Sequence, residues 1–326
     1  MRVLVVKSSS LGDLVDTLPA LSDAMDKIPG FSVDWICEPA FGAIPFWHPS
    51  VQNVIPVQLR KWRGKPLQLI KSNIFKKLKE NLKICSPNGY DAVIDAQGLI
   101  KSSWFLARAA NGPVHGYGWG FAKESLSSLS YDHCYQISKQ MHSIDRNRNL
   151  FAMALGYEKP TSFPSPCFPF MKLIKSKNRL TCIIHASKPE KCWPIDCWKE
   201  LLSKKAFFFD ECVITAGSLE ENRIATDIAK NRKNIRILSG ASLDTVATVI
   251  AESRLCIAVD TGLSHVADLI GCPLITLFGK TDPRKIGPIG SKSVIIQSES
   301  KKMVGIDTKT VENAMRDFGI GDLDFH

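Results

Sequence analysis

Two stretches of this sequence place small hydroxyl residues, a glycine and a carboxylate directly behind an apolar run, which is where an open α/β sheet holds its ligands. The first is Lys7-Ser8-Ser9-Ser10-Leu11-Gly12-Asp13, behind the apolar residues 3–6. Its small side chains and Gly12 let a ligand come close to the backbone, with several amides able to point outward. A carboxylate at Asp13 can accept the proton of a sugar hydroxyl as that hydroxyl attacks. An acid in this position equally caps the start of a helix, and the residues alone do not choose between the two.

The second stretch is Asp260-Thr261-Gly262-Leu263-Ser264-His265, behind Leu255-Cys256-Ile257-Ala258-Val259 and ahead of a helical pattern. Amides and the positive dipole end at such a helix start favour a phosphate, Thr261 and Ser264 add hydroxyls, and Gly262 leaves the approach open. A Thr-Gly turn with an N-capping Asp260 is the plainer alternative. Gly279-Lys280-Thr281-Asp282-Pro283 lines the same rim or is an ordinary turn. His185-Ala186-Ser187-Lys188 runs on to Lys191-Cys192-Trp193-Pro194, bringing Lys188 and Lys191 to a diphosphate, and Pro194 opens a helix. Glu220 and Glu221 open another helix, where an acid holds a ribose diol or complements the dipole. A lone His185 or His265 is more often a satisfied structural histidine than a catalyst. No G-x-G-x-x-G and no G-x-x-x-x-G-K-S/T occurs, which speaks against a dinucleotide site and the usual ATPase.

The elements that position these residues follow from hydrophobic period. Residues 2–6 read as a strand, and Leu14, Leu18, Leu21, Met25 and Ile28 as one helix face. Pro19 kinks that helix or marks a capped start at Thr17. Strands are expected at 32–37, 53–57 and 91–95, a basic helix with Ile74, Phe75, Leu78 and Leu82 inward, and a helix over 99–110. The pattern lapses between about 156 and 178, where Lys159-Pro160-Thr161-Ser162-Phe163-Pro164-Ser165-Pro166 is proline-rich. It resumes with strands near 180–185, 211–215, 254–259 and 273–277. Helices are expected near 195–205, 220–231, 243–252 and 263–270, with a closing helix over 310–318. Such alternation implies parallel sheets covered on both faces.

At 326 residues the chain is long enough for two domains. The spacing sets them at 1–157 and 179–326, joined by a linker over 158–178, with the closing helix able to pack back on the first. With 44% apolar and 23% charged residues the chain is neither disordered nor a small disulfide scaffold. No run of 18 apolar residues is present, and the N-terminus reads as a strand rather than a signal peptide, so a cytoplasmic protein is expected. The ten cysteines are scattered, several within apolar runs, as reduced core thiols are; Cys192 and Cys197 have no second pair at zinc spacing.

Lys and Arg number 42 against 32 Asp and Glu, a net charge of +10 that points to an anionic partner. Arg60-Lys61-Trp62-Arg63-Gly64-Lys65 sets an aromatic among cations. Lys71, Lys76, Lys77, Lys79 and Lys83 lie on one helix; with Lys101, Lys123 and Lys139 they suit an anionic acceptor or a membrane surface, or are simply a solvated face. A nucleic-acid binder would show a basic stripe with several exposed aromatics or a reading helix, and little of that is present.

These motifs, in this order, resemble the heptosyltransferases of lipopolysaccharide inner-core synthesis over nearly the whole chain. The resemblance rests on Lys7-x-Ser9-Ser10-Leu11-Gly12-Asp13, Trp47-His48-Pro49, Val54-Ile55-Pro56-Val57 with Arg60 and Trp62, and Asp91-Ala92-Val93-Ile94-Asp95-Ala96-Gln97-Gly98-Leu99. In the second half it rests on His185-Ala186, Lys191-x-Trp193-Pro194 and Val259-Asp260-Thr261-Gly262-Leu263-Ser264-His265.

The resemblance implies an α/β GT-B glycosyltransferase: two Rossmann-like, doubly wound parallel-sheet domains facing a central cleft. The first would bind the acceptor and the second the nucleotide-sugar. The implied reaction moves L-glycero-D-manno-heptose from ADP-heptose to the first Kdo of Kdo2-lipid A, with inversion, without metal or other cofactor. Such an enzyme would be peripheral on the cytoplasmic face of the inner membrane. Addition of the second heptose is the nearest rival, and the 47–49 and 60–62 region favours the first. Asp13 takes the general-base position, with Lys191 stabilising the departing ADP. Ser187, Lys188, Glu221, Asp260, Thr261, Gly262, Leu263 and His265 fall to the donor. Lys7, Ser9, Ser10, Gly12, Arg60, Arg63, Gln97 and Lys123 fall to the acceptor. Two positions depart from the family: Lys188 stands where a second small hydroxyl residue is expected, and Asp268 where a small residue is usual; Asp268 is expected to point away.

Overall fold

The computed structural model describes residues 1–59, 73–162, 176–230 and 232–320. Contacts divide the chain into two compact units, Met1–Pro169 and Phe170–His326. Among the described residues each unit holds one six-stranded sheet, and every strand pairing is parallel.

In the first unit the strands are β1 (Arg2–Val6), β2 (Ser32–Cys37), β3 (Val51–Pro56), β4 (Ala92–Asp95), β5 (Val114–Tyr117) and β6 (His133–Tyr135), in spatial order β3-β2-β1-β4-β5-β6. The second unit holds β7 (Lys177–Ile183), β8 (Glu211–Ala216), β9 (Ile235–Ser239), β10 (Ser253–Val259), β11 (Leu274–Phe278) and β12 (Ser293–Gln297), in order β12-β11-β10-β7-β8-β9. Counted within its own unit, each sheet therefore runs 3-2-1-4-5-6, the doubly wound Rossmann order. The chain winds outward in opposite directions from the central strand pair, β1–β4 or β7–β10, and leaves the carboxyl ends of that pair open to a ligand.

Central strands read as unbroken apolar runs because both faces are covered: Val3–Val6 and Leu255–Val259 are fully buried. Each Val, Leu or Ile among them contributes on the order of 1.5–3 kcal/mol. Helix Ile195–Lys205 turns Trp198, Leu201 and Leu202 onto the second sheet. The closing helix, Thr308–Arg316, buries Val311, Ala314 and Met315 in that same core and packs on Ile195–Lys205. Its apolar residues are thus used within the core of its own unit.

The expected helix over 14–28 is two helices, Leu11–Val15 and Leu18–Lys27, the second starting behind Thr17 with Pro19 in its first turn. Proline lacks an amide hydrogen and is tolerated in a first turn, so a start behind Thr17 prevails over the kink; the Thr17 hydroxyl does not cap it and donates back to the Asp13 carbonyl at 2.8 Å. The segment expected as a helix over 99–110 is a wider π-turn, Lys101–Leu106, followed by a 3-10 turn, Ala107–Ala109. The helix Ser143–Leu155 and the strands β5, β6, β9 and β12 are additional to the elements expected from hydrophobic period. Most of these strands lie toward sheet edges, where partial exposure breaks the apolar run.

Candidate active site

At the centre of the first sheet β1 and β4 end side by side, and each sends out a loop carrying site residues. The β4 exit is built around Asp95, which is fully buried. Its Oδ1 accepts from the Gln97 and Gly98 amides at 2.9 and 3.2 Å, and its Oδ2 from the Ser102 and Tyr131 hydroxyls at 2.8 and 2.7 Å. Burial raises its pKa although these four donors favour the carboxylate. Gly98 turns the loop at φ +68°, a conformation that favours glycine, and a Cβ there would also crowd the Lys123 amide nitrogen at 3.3 Å. Gln97, held in this way, reaches the β1 exit: its Oε1 accepts from the Ser8 and Ser9 amides at 3.0 and 3.3 Å. Lys7 ties the same two exits together, its buried Nζ donating to the Ala96 carbonyl at 2.7 Å.

Asp13 sits on the first turn of Leu11–Val15. Its Oδ2 accepts from both the amide and the hydroxyl of Ser10 at 3.0 Å, capping the helix, while its Oδ1 faces Lys123 Nζ at 3.2 Å and Lys7 Nζ at 3.7 Å. The two readings of this residue are therefore not exclusive, because one oxygen caps and the other faces the ammonium groups. Burial pushes the Asp13 carboxyl up, but Lys7, Lys123 and Ser10 outweigh it and hold it well below the usual carboxylate range. Burial also lowers the pKa of Lys7, against the pull of Asp13.

The second sheet repeats the arrangement where β7 and β10 end together. Asp260, 4% exposed, leaves β10 with its Oδ2 at 2.7 Å from Lys191 Nζ. The contact is ionic, since among the described residues this oxygen has no aligned hydrogen-bond donor. Lys191 closes a 3-10 turn, Pro189–Lys191, that follows β7. The neighbouring Trp193 is a buried anchor: its indole donates to the Ile306 carbonyl at 2.8 Å and meets Trp198 edge-on at 5.1 Å. Thr261 precedes the helix Gly262–Ile270, and among the described residues no side chain caps that start. Thr261, Gly262, Leu263 and His265 are all half-buried there. The Ser264 hydroxyl, read from sequence as a phosphate donor, is buried and donates to the Thr261 carbonyl at 2.6 Å, so it is spent inside the turn.

At the end of β8, Ser218 caps the helix Leu219–Ala229 by accepting from the Glu221 amide at 3.2 Å. The Glu221 carboxylate folds back onto the Gly217 amide at 2.6 Å, and its carbonyl meets His185 Nε2 at 3.2 Å. Glu220 is exposed on the helix surface. Of the two acids, Glu221 is the one that the fold holds at the strand end beside the β7 exit. Burial lowers the His185 pKa, with Glu221 opposing. Among the described residues no group of three His, Cys, Asp or Glu gathers as a metal site would require.

A family model, Glycosyltransferase family 9 (heptosyltransferase), matches residues 75–315. Lipopolysaccharide heptosyltransferase 1 of Escherichia coli (strain K12) is 37% identical over 315 residues, covering 95% of this chain and 98% of that protein. The chain belongs to glycosyltransferase family 9. Its fold is similar to that of E. coli heptosyltransferase WaaC solved with ADP, at TM-score 0.89 and 35% identity over 98% of this chain and 100% of that one. The same enzyme solved with ADP-2-deoxy-2-fluoro heptose gives TM-score 0.86 and 34% identity over 97% and 99%. The GT-B architecture of two Rossmann-like domains is thereby established for this family 9 chain.

Within the family 9 frame, the residues named from sequence divide into two groups. Asp13, Ser9, Ser10 and Lys123 reach the surface at the β1 and β4 exits, whereas Lys7, Gly12 and Gln97 lie beneath it and shape the loops. In the second unit Ser187 and Lys188 are exposed on the β7 exit loop. Arg60, Trp62 and Arg63 lie outside the described residues. Of Trp47-His48-Pro49, an acceptor-side feature in the sequence analysis, only Pro49 is exposed. Trp47 and His48 are buried, and the His48 ring bonds the Ser22 and Ser50 hydroxyls at 3.1 and 2.8 Å. Burial lowers the His48 pKa to about 4. Asp268 is held by the Ile289 and Gly290 amides and the Ser293 hydroxyl at 2.9, 3.0 and 2.6 Å, so its charge serves that loop. Sequence reasoning passed over Asp95 as a positioning residue; a strand ending in an acid just before Gln97-Gly98 was the available signal.

Proposed function

We propose that this family 9 heptosyltransferase transfers L-glycero-D-manno-heptose from ADP-heptose to the first Kdo of Kdo2-lipid A in lipopolysaccharide core synthesis. The first unit binds the acceptor and the second binds the donor. One observation supports a charged site in each unit: each places a carboxylate and lysine pair at the open centre of its sheet, Asp13 with Lys7 and Lys123, and Asp260 with Lys191. The Kdo hydroxyl donates its proton to Asp13 Oδ1 as its oxygen bonds to the anomeric carbon of heptose. The bond from that carbon to the ADP β-phosphate oxygen breaks on the opposite side, inverting the centre. Negative charge grows on the departing ADP, and Lys191, steadied by Asp260, meets it together with the amides at the start of Gly262–Ile270. Glu221 binds the ribose diol. Lys123 and the Arg60–Lys65 cluster receive the carboxylates and phosphates of the acceptor. No metal or other cofactor takes part, because Lys191 and the helix start supply the positive charge.

Heptose transfer from ADP-heptose to Kdo2-lipid A in EDTA tests this reading, with product expected. Folded protein that gave no product there, but extended an acceptor already carrying one heptose, would replace it with second-heptose addition. Product that appears only when a divalent cation is restored would overturn the metal-free mechanism.

A further inference from the structure

Exposed apolar side chains gather on the first unit, on and against a segment that follows Lys123, the residue in contact with Asp13. Trp104, Leu126 and Leu129 are 49%, 51% and 63% exposed, and the Trp104 indole donates to the Leu126 carbonyl at 3.4 Å. Leu126 and Leu129 belong to the 3-10 segment Ser125–Ser130, in which residues three apart eclipse, so both leucines leave on the same side. Ser127, Ser128 and Ser130 of the same segment are buried. This turn is inside out for a surface facing water, with its hydroxyls inward and its leucines outward. A lone exposed leucine is ordinary, whereas a contiguous patch marks something that covers it.

The surroundings are cationic. Lys101 lies one turn before Trp104, and the exposed Lys76, Lys77, Lys79 and Lys83 ride on the helix Ile74–Cys85, which meets the Lys101–Leu106 segment through the Phe75 and Phe105 rings at 4.9 Å. Of the acids nearby, Asp132 is held bidentately by Arg108 at 2.8 and 3.0 Å, Glu124 accepts from the Ile100 amide at 2.7 Å, and Glu80 stands exposed among the helix lysines. Lys123, three residues before Leu126, is the residue that touches Asp13.

We infer that Trp104, Leu126 and Leu129 insert into the interfacial layer of an anionic bilayer, with Lys101 and the lysines of Ile74–Cys85 against its headgroups. Tryptophan and leucine bordered by lysine are the composition of an interfacial anchor, and neither element of that pair holds firmly alone. Through Lys123 the anchor is continuous with Asp13, so an acceptor that is itself a lipid meets the base without leaving the membrane. The inference rests on the lipid-acceptor reading given above.

The test is sedimentation of the full chain with vesicles of phosphatidylethanolamine and phosphatidylglycerol, and with phosphatidylcholine vesicles as the neutral control. The W104S/L126S/L129S variant replaces exposed side chains only, and its thermal midpoint checks its folding. Wild-type protein is expected to bind the anionic vesicles well above the neutral ones, and the variant to lose about 10-fold or more in partitioning. Transfer to a water-soluble Kdo acceptor without acyl chains should be the same for both, whereas transfer to vesicle-embedded acceptor should fall in the variant. Equal vesicle binding by variant and wild type would overturn the inference, as would wild-type protein that binds neither vesicle. A patch that instead mediates pairing of two copies, seen as a smaller particle for the variant in light scattering with unchanged vesicle binding, would also overturn it. Failure of transfer to both acceptors with vesicle binding as expected would count against the proposed reaction alone.

Discussion

Replacement of Asp13 separates its two tasks. Its Oδ2 takes two hydrogen bonds from Ser10 at a helix start, and losing such an acceptor costs about 0.5–2 kcal/mol. Its charge partners Lys7, whose side chain is 5% exposed; removing one member of a fully buried pair costs about 3–5 kcal/mol. The figure here is smaller, about 1–2 kcal/mol, because Asp13 is itself 31% exposed and Lys7 keeps the Ala96 carbonyl. Lys123 is 45% exposed and solvent screens its share. Asp13→Asn keeps an oxygen for Ser10 and should lose only the charge term, whereas Asp13→Ala loses both, about 1.5–4 kcal/mol in all. At roughly 2–4 °C per kcal/mol for a unit of this size, circular dichroism melts resolve the two variants. Initial rates of heptose transfer should fall by about 10²-fold or more in both, because neither retains a base. If Asp13→Ala melted early yet kept its rate, the residue would be a helix cap and nothing more. If Asp13→Asn kept its rate, a carboxylate would not be the base.

Lys191→Ala should lower kcat by about 10²-fold, as losing a preorganised charge at a developing anion does, and it should also lower the melting point because Asp260 is left buried without its cation; an unchanged kcat would remove Lys191 from the leaving-group role. Glu221→Gln can still accept from Gly217, so the fold should hold while KM for ADP-heptose rises about 10-fold; Glu220→Gln should leave KM alone, and the reverse pattern would exchange their roles. The first unit should lose stability as pH falls from about 6.5 toward about 4. His48 and His115 are held neutral with folded pKa values of about 4 against an unfolded value of about 6.5, so the unfolded chain binds more protons throughout that window. Melting curves across the window should steepen this way for wild type and less so for His48→Asn; identical slopes would mean that His48 is not buried neutral.

What could be read from sequence is what depends on near neighbours. Apolar runs such as Val3–Val6 and Leu255–Val259, the proline that starts Leu18–Lys27, and the serine followed three residues later by an acid, Ser10 with Asp13 and Ser218 with Glu221, are local signals and mark strand ends and helix starts directly. The order of the motifs pointed to the family. Which polar side chains reach the surface at those junctions was decided by the order of strands in the sheets. Gln97 shapes the Ser8–Ser9 turn and Lys7 is buried because β4 lies beside β1, 89 residues away along the chain. Asp95 carries four hydrogen bonds for a comparable reason, one of them from Tyr131, 36 residues on. Trp47 and His48 became core, and Leu126 and Leu129 became surface, because burial is set by what packs against a segment and not by its hydrophobicity. A pattern along the chain records period, and only the assembled sheet fixes which side of that period faces water.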